Sequence, residues 1–517
     1  MHDMPKKSFI SKGDYRDSVF LMRVNQECQK LDGVKACAVM MGTDANKDIA
    51  KDAWLYTDEL ANAGPNDIFI VIDAIDEAKC ETALAKAKDL LNEVERGESA
   101  EEMSYRTLRT AIENEPGSNL VLISTPGEYA FTEALTALNN DKNVMIFSSD
   151  VPIDDELKLK QLGSKKGLLV MGPDCGTAII NGIGLGFSNI VKKGPIGIVG
   201  AAGTGIQEVT SLLDDVGISQ AIGTGSHDLS EKIGGITMID GIRMLGEDQE
   251  TKVLVVISKP PSPAVTGKIL EYLKKVGKPA VVNFIGGNVS DEGNIIGALT
   301  LEDAAKKALA IITGAQPSAT IFSKPMEELE ALITQETKRL SDKQKYVRGL
   351  FSGGTLCAEA QVLFRNMSRP VRSNVPLEKG LLIQASARGV GDTFIDMGTE
   401  EFVRGIPHPM IDFRFRNERI IRESQEDDVA VILLDIVLGL GANINPAGEL
   451  ADAVAKARVN GKSIIASVCG TERDPQSLHL QVSALERLGV IILPSNAQAA
   501  RLAALVASRG GVWGYLK

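Results

Sequence analysis

The sequence predicts an α/β protein of several parallel-sheet domains, Rossmann- or flavodoxin-like, two of them repeats of each other. A small α/β domain stands in front of them. Three observations lead there. Short apolar runs alternate with helical patterns from end to end, and Gly, Pro, Ser or Asp follows each run. The runs are continuously apolar, as in strands buried on both faces. The second half of the chain also repeats an order of motifs already used once.

Residues 1–100 read as the small domain, of ferredoxin-like type, with no role indicated. Strands are expected at Asp17–Met22, Lys35–Met40 and Ile68–Ile72, and helices at Asn25–Leu31 and Glu77–Glu95. The charged stretch Glu93–Glu102 marks a boundary. Residues 101–193 follow as a Rossmann-type domain with strands at Leu120–Ile123 and Gly167–Met171. Lys193-Gly-Pro195 opens an α/β domain, 194–315, with strands at Ile196–Val199, Val253–Ile257 and Pro279–Val282. Residues 316–345 form a linker helix and a charged tail. A second, similar α/β domain, 346–517, carries strands at Val429–Leu434 and Ser463–Ala466.

The repeat is carried by matched motifs. Ile196–Glu208 parallels Arg348–Glu359, each with Gly-Thr after a strand and a Glu further on. Met238-Ile-Asp240 parallels Met410-Ile-Asp412, and Phe284–Gly287 parallels Ser467–Gly470.

Composition narrows the class. With 517 residues, 44% hydrophobic and 24% charged, the chain has ordinary globular composition and can build large cores. Lys and Arg number 56 against 68 Asp and Glu, a net charge of −12. That excludes nucleic acid as the main partner. The six cysteines form no CxxC and no zinc spacing with the four histidines, so no metal site is expected. The pattern reads as reduced and cytoplasmic. The opening MHDMPKKSFI has no apolar run and no stretch is long enough to span a membrane.

Ligands of open parallel sheets sit beyond the carboxyl ends of the strands. Gly200-Ala-Ala-Gly-Thr-Gly205 and Ser352-Gly-Gly-Thr355 are strand-end loops that open helices. Their backbone N–H groups suit an anion. The other reading is a pair of tight βα turns. Neither is a Walker A loop, since no Gly-Lys-Ser/Thr follows. Gly172-Pro-Asp-Cys-Gly176 and Gly223-Thr-Gly-Ser-His-Asp228 are further strand-end loops. His227 suits proton transfer or an anion contact, or is a solvated loop residue. His408 is fixed between prolines. Cys175 and Cys469 have no base beside them and read as buried small hydrophobes. Gly441, Asn443 and Asn445 suit an amide or carboxylate ligand, and equally a turn with a helix cap.

Met171–Gly176, Gly197–Thr204 and Gly223–Asp228, in order and spacing and down to Glu208, resemble the succinyl-CoA synthetase α subunit over about residues 104–315. Residues 346–517 look like the carboxyl domain of the β subunit, chiefly at Asp392–Gly398 and Asp435–Gly441. An α-like part joined to such a domain behind an unrelated N-terminal region resembles the FdrA family. The resemblance implies that 101–193 is a CoA-binding-like domain and that 194–315 and 346–517 are ligase-like domains. In the synthetases a phosphohistidine follows the strand that corresponds to Ala280–Ile285. Here that loop, Gly286–Gly293, has no histidine. The ATP-grasp portion is also missing, and the N-terminal domain stands where the Gly-rich CoA loop would be.

The resemblance implies a subunit of an oxamate carbamoyltransferase-type complex. Such a complex moves a carbamoyl or acyl group to or from phosphate, with oxalurate plus phosphate giving oxamate plus carbamoyl phosphate. Its partners are the small carbamoyl or acyl substrate and separate subunits of an oligomer. Phosphate or an acyl phosphate is the substrate, and CoA is doubtful. Gly200, Gly203, Thr204 and Gly205, with Ser352, Gly353, Gly354 and Thr355, are expected to hold the phosphate. Glu208 and Glu359 are expected as orienting carboxylates and His227 as the acid/base group. Gly172, Asp174, Cys175, Gly225, Ser226, Gly441 and Asn443 complete the substrate pocket. The alternatives are an NDP-forming acyl-CoA synthetase subunit and a non-catalytic scaffold.

Overall fold

The continuously apolar runs become strands with no solvent-facing side. Val253–Ser258 and Val429–Val437 are buried at every residue, as helices on both faces of a parallel sheet require. The arrangement comes from a computed structural model. It describes residues 6–515 apart from 15, 17, 30, 44–45, 48–49, 52–54, 94–104, 318–320 and 404–405. The chain divides into two compact units, Met1–Ser104 with Val403–Pro407, and Tyr105–Phe402 with His408–Lys517.

The first unit runs β1 (Lys6–Ser11), α1 (Ser18–Gln29), β2 (Val34–Met41), β3 (Ile68–Ala74), α2 (Glu77–Glu93). Its antiparallel sheet has the order β1-β3-β2, the βαββα part of a ferredoxin-like unit. Leu21, Val24 and Cys28 pack from α1 onto one face with Ala83 and Ala87 of α2, and Leu55 and Leu60 pack on the other. The strand expected at Asp17–Met22 is therefore a correction. Ser18 onward is helical because Leu21, Val24 and Cys28 recur at helical spacing. Asp17 and most of the expected Glu93–Glu102 boundary lie outside the described residues. Strand β1, KKSFIS, lacks an apolar run and leaves no such signal.

The second unit begins with α3 (Leu108–Asn114) and a small parallel sheet, β4 (Leu120–Ile123), β5 (Asn143–Ile146) and β6 (Val170–Met171). The helices α4 (Gly127–Asn139) and α5 (Ile153–Lys166) lie between its strands. A hairpin, β7 (Thr177–Ile180) and β8 (Ile183–Gly186), leads into the first ligase-like domain. That domain runs β9 (Lys193–Ala201), α6 (Gly203–Leu212), β10 (Ile218–Gly223), α7 (Ile236–Glu247), β11 (Val253–Ser258), α8 (Pro263–Val276), β12 (Ala280–Phe284), β13 (Ile295–Gly297) and α9 (Leu301–Thr313). The expected boundary at 193 is displaced, because the hairpin before it pairs antiparallel with β10 and joins the same seven-stranded sheet.

Helix α10 (Met326–Thr337) links to the second ligase-like domain. This runs β14 (Tyr346–Phe351), α11 (Gly354–Asn366), β15 (Val371–Ser373), β16 (Asp392–Asp396), α12 (Arg414–Ser424), β17 (Val429–Val437), α13 (Pro446–Val459), β18 (Ser463–Cys469), α14 (Leu478–Arg487), β19 (Ile491–Leu493) and α15 (Asn496–Ala507).

Strand order exposes the duplication. The parallel core of one sheet is β10-β9-β11-β12-β13, and of the other β16-β14-β17-β18-β19. Both are the 2-1-3-4-5 flavodoxin-like order. The copies share one apolar core, in which Ile206, Ile257 and Ala304 of the first meet Phe351, Leu356 and Leu502 of the second. Domains joined by a common core unfold together. In a Trp54→Phe variant, fluorescence of Trp513 should be lost at the same urea concentration as hydrogen-exchange protection of β9 and β11. Two separated midpoints would show independent domains.

Candidate active site

The N-termini of α6 and α11 touch. A Cβ on Gly205 would lie 2.8 Å from Thr355 Cγ2, and one on Gly353 would lie 2.8 Å from Thr204 Oγ1. Each loop's glycine makes room for the other loop's threonine. Both loops follow the first strand of their sheets, where the strand order reverses and ligands sit. Neither helix has a side-chain cap or an acidic residue in its first turn. Each end carries about half a positive charge, so the two repel unless an anion lies between them.

The second loop is held from behind. Asp435 accepts hydrogen bonds from the N–H of Ser352 at 2.8 Å, the N–H of Gly353 at 2.7 Å and the Ser352 hydroxyl at 3.1 Å. Fully buried Arg416 bonds Asp435 at 2.7 Å. Ser352 and Gly353 thus give their N–H groups to Asp435. The N–H groups of Gly354 and Thr355 remain for an anion, beside those of Gly203, Thr204 and Gly205. Gly200 lies under α6, where a Cβ would press on Ile206.

Glu208 and Glu359 are turned to helix ends. Glu208 Oε1 accepts from the N–H of Asn496, first residue of α15, at 2.9 Å. Glu359 Oε1 accepts from the N–H of Leu301, first residue of α9, at 2.7 Å, and its Oε2 accepts from Asn496 Nδ2 at 2.7 Å. Each glutamate caps the last helix of the other copy. Both are buried, so the geometry gives them capping rather than proton transfer to a substrate. Burial pushes Glu208 up to about 8, against the Asn496 N–H and with Glu359 and Glu302 adding to it.

The loop after β6 packs backbone to backbone on the loop after β10. A Cβ on Gly172 would run into the Ile146 carbonyl, and one on Gly225 into the Pro173 carbonyl. Both glycines have positive φ, so their role is close approach. Cys175 donates to the Gly223 carbonyl at 3.4 Å, and burial pushes its thiol up to about 12. It stays protonated and is no nucleophile. Asp174 and Ser226 are hydrogen-bonded and open to solvent. His227 is exposed, with Nδ1 3.4 Å from Glu156. Glu156 pairs with Lys160, which bonds Asp228 at 2.8 Å, and Asp228 caps α7. His227 stands at the rim of that buried network. Gly441 packs on Phe187. Asn443 latches its loop to the Met410 and Ile411 carbonyls at 2.8 and 2.9 Å.

Residues the sequence reading passed over complete the site. Lys259 follows β11 directly, is exposed, and makes no hydrogen bond or ion pair among the described residues. Its charge acts on Asp396 and Asp174. Asp396, at the end of β16, is buried with Oδ2 at 2.5 Å from the Cβ position of Gly354. Its Oδ1 accepts from the Gly398 N–H at 3.0 Å. Burial pushes Asp396 up to about 6, with Lys259 and that N–H opposing. Two signals are readable in hindsight: Lys259 sets a charge immediately after an apolar strand, and Asp435 is a carboxylate inside one.

Residues 4–106 match the family described as AllF, heavy metal-associated domain, 191–286 the CoA binding domain, and 350–506 CoA-ligase. The uncharacterized protein YahF of Escherichia coli K12 is 42% identical over 510 residues, 97% of this chain and 98% of YahF. The chain belongs to the FdrA-like family of the CoA-ligase superfamily. Succinate–CoA ligase [ADP-forming] subunit alpha of Staphylococcus epidermidis is 29% identical over 222 residues, 42% of this chain and 68% of that subunit. The Staphylococcus aureus subunit is 30% identical over 221 residues, with the same shares. The chain is a ligase-type enzyme of this superfamily.

One expectation is overturned. CoA, doubtful on the replaced Gly-rich loop, is restored by the matches to a CoA binding domain and a CoA-ligase domain. The first of these covers β9 and α6, C-terminal to the 101–193 segment where that role was expected. The uncapped, acid-free start of α6 fits a phosphate group. The first turns of α4 and α5, with Glu128 and with Asp154, Asp155 and Glu156, do not. The described residues do not fit a metal: no group of three or more His, Cys, Asp or Glu is placed to hold one. Cys28, Cys37 and Cys80 lie in the helix–sheet core of the first unit. No described helix is long and apolar enough to cross a membrane.

The raised Glu208 gives a signed prediction. The folded chain binds this proton more tightly than the unfolded one. Its contribution to stability is therefore full below about pH 4.5 and is lost as pH rises to about 8. Glu208→Gln keeps the acceptor and removes the titration. Urea unfolding should show the variant gaining on the parent across that interval, whereas a difference constant with pH would mean that Glu208 stays ionised.

Proposed function

We propose that this chain catalyses acyl transfer at a single site between the N-termini of α6 and α11, with an acyl phosphate as one substrate and CoA as the other. The observation that carries this reading is the meeting of two helix starts across the Gly205–Thr355 and Gly353–Thr204 contacts. Neither has a side-chain cap or an acidic residue in its own first turn, and only that of α11 is backed by a carboxylate pair, Asp435 and Asp396. The N–H groups of Gly203, Thr204, Gly205, Gly354 and Thr355 would hold the phosphate, with Lys259 as counter-charge. CoA supplies a thiol that takes the acyl group. As the C–S bond forms, the acyl C–O bond breaks, negative charge moves onto the departing phosphate, and the proton lost by the thiol ends on that phosphate. Preorganised N–H donors stabilise such charge, each by about 3 kcal/mol. Loop Gly286–Gly293 has no histidine, which leaves the acyl-phosphate half of synthetase chemistry and assigns any nucleotide site to a separate chain.

A second reading shares the phosphate site. FdrA-like membership supports carbamoyl phosphate as the acyl phosphate and oxamate as the acceptor. The missing histidine favours it, because that transfer needs no phosphohistidine.

Phosphate release from acetyl, succinyl and carbamoyl phosphate, with CoA or oxamate as acceptor, tests both. CoA-dependent release supports the first reading and oxamate-dependent release the second. Lys259→Met should lower kcat/KM tenfold or more with an unchanged melting temperature, since a lost charge-assisted bond costs about 1.5–3 kcal/mol. Inertness toward every pair, with no binding of phosphate or CoA, would mean a scaffold.

A further inference from the structure

His408 stands at the same helix start and has no part in the assignments above. Its carbonyl accepts from the N–H groups of Ile411 and Asp412 at 2.7 and 3.0 Å, and Asn443 ties the next turn to its own loop. The Phe187 ring lies 5.4 Å from the imidazole, centroid to centroid. Nδ1 accepts from the Met410 N–H at 3.3 Å, so the ring proton is on Nε2. Burial lowers the imidazole to about 4, and it is neutral at pH 7.

Nε2 points to Gly398. A Cβ there would lie 2.9 Å from Nε2, 2.8 Å from the Ser352 carbonyl and 3.3 Å from Asp396 Oδ1. Glycine keeps that space open, between Nε2 and the loop that starts α11. Nε2–H has no hydrogen-bond partner among the described residues. A half-buried donor beside an uncapped helix start gains from an oxygen acceptor.

We infer that His408 touches the substrate, donating its Nε2–H to an oxygen of the acyl phosphate held between α6 and α11. This rests on the reading proposed above. The imidazole acts as a neutral donor. It is not a carrier replacing the missing phosphohistidine, because the nitrogen that faces the site has no free lone pair. A neutral donor strengthens its bond as charge grows on the oxygen and adds no competing cation beside Lys259.

Two variants of the full chain test it. His408→Leu removes the donor. His408→Gln places an amide N–H near Nε2. Calorimetric titration with inorganic phosphate and with carbamoyl phosphate should show at least tenfold weaker binding of one or both by the Leu variant, and binding within threefold of the parent by the Gln variant. Both variants should keep the parent's melting temperature. The chain has only four histidines, so their ring ¹⁵N–¹H correlations are few. The signal missing in both variants should be a neutral Nε2–H tautomer that shifts when phosphate is added. Unchanged affinity in the Leu variant, equal loss in both variants, or an Nδ1–H or protonated ring would each overturn the inference and leave the proposed function standing. A parent chain that binds neither ligand would overturn both.

Discussion

The structure depends on a crossed pair of helix caps. Each copy of the duplicated domain sends one glutamate to the first N–H of the other copy's last helix, Glu208 to α15 and Glu359 to α9. Asn496 closes the cross by bonding Glu359 and the Leu356 carbonyl. Thr300 and Ser495 cap the N–H groups of Asp303 and Gln498 within their own domains, but the first N–H of each helix is satisfied by the other copy. The shared apolar core then has one arrangement that leaves no such N–H unpaired. Glu208 and Glu359 each lie one turn beyond their Gly-Thr loop, so the arrangement that satisfies the caps also brings the loops together.

Bringing two helix starts into contact opposes like partial charges. The protein answers this differently in its two copies. In the second, Asp435 takes the N–H groups of Ser352 and Gly353 and is itself neutralised by buried Arg416. In the first, no carboxylate fills that place among the bonds described for Gly203, Thr204 and Gly205. The duplicated fold thus has an asymmetric centre. One helix start is fixed by an internal anion, and the open side is flanked by Lys259, Asp396 and His408. On the proposed reading a phosphate would have donors from both halves, with the groups that differ between the halves facing what is attached to it.

A carrier histidine serves transfer of a phosphoryl group between distant sites. Loop Gly286–Gly293 lacks it, yet the glutamate one turn into α6 is retained. Its bond to α15 supplies a structural reason for that retention, independent of any carrier. The surfaces that meet inside this single chain belong, by resemblance, to α-like and β-like parts. Covalent joining makes their meeting intramolecular and removes the concentration dependence of assembly.

The sequence by itself determined the class and the duplication. Unbroken apolar runs such as Val429–Leu434 demand helices on both faces, and Gly-Thr loops after matched strands mark the same unit twice. It also placed Thr204 and Thr355 at strand ends. It did not reveal that these threonines nest against Gly353 and Gly205, that Glu208 and Glu359 are caps, or that Lys259, Asp396, Asp435 and His408 belong together. The physical reason is range. Strand and turn signals are local, arising from burial periodicity and backbone freedom within a few residues. Partners such as Glu208 and Asn496 meet only after two sheets dock, and no local pattern encodes a contact between residues hundreds of positions apart. His408 and Gly398 meet the Ser352 loop only once β14 and β16 pair. The N-terminal unit shows the same limit on a smaller scale. An apolar stretch at 18–22 reads as a strand until Leu21, Val24 and Cys28 are seen packing on the sheet formed by β2 and β3. Tertiary structure also decided the use of the glycines: Gly172 and Gly225 look like ligand cradles in sequence, but they permit one backbone to lie on another.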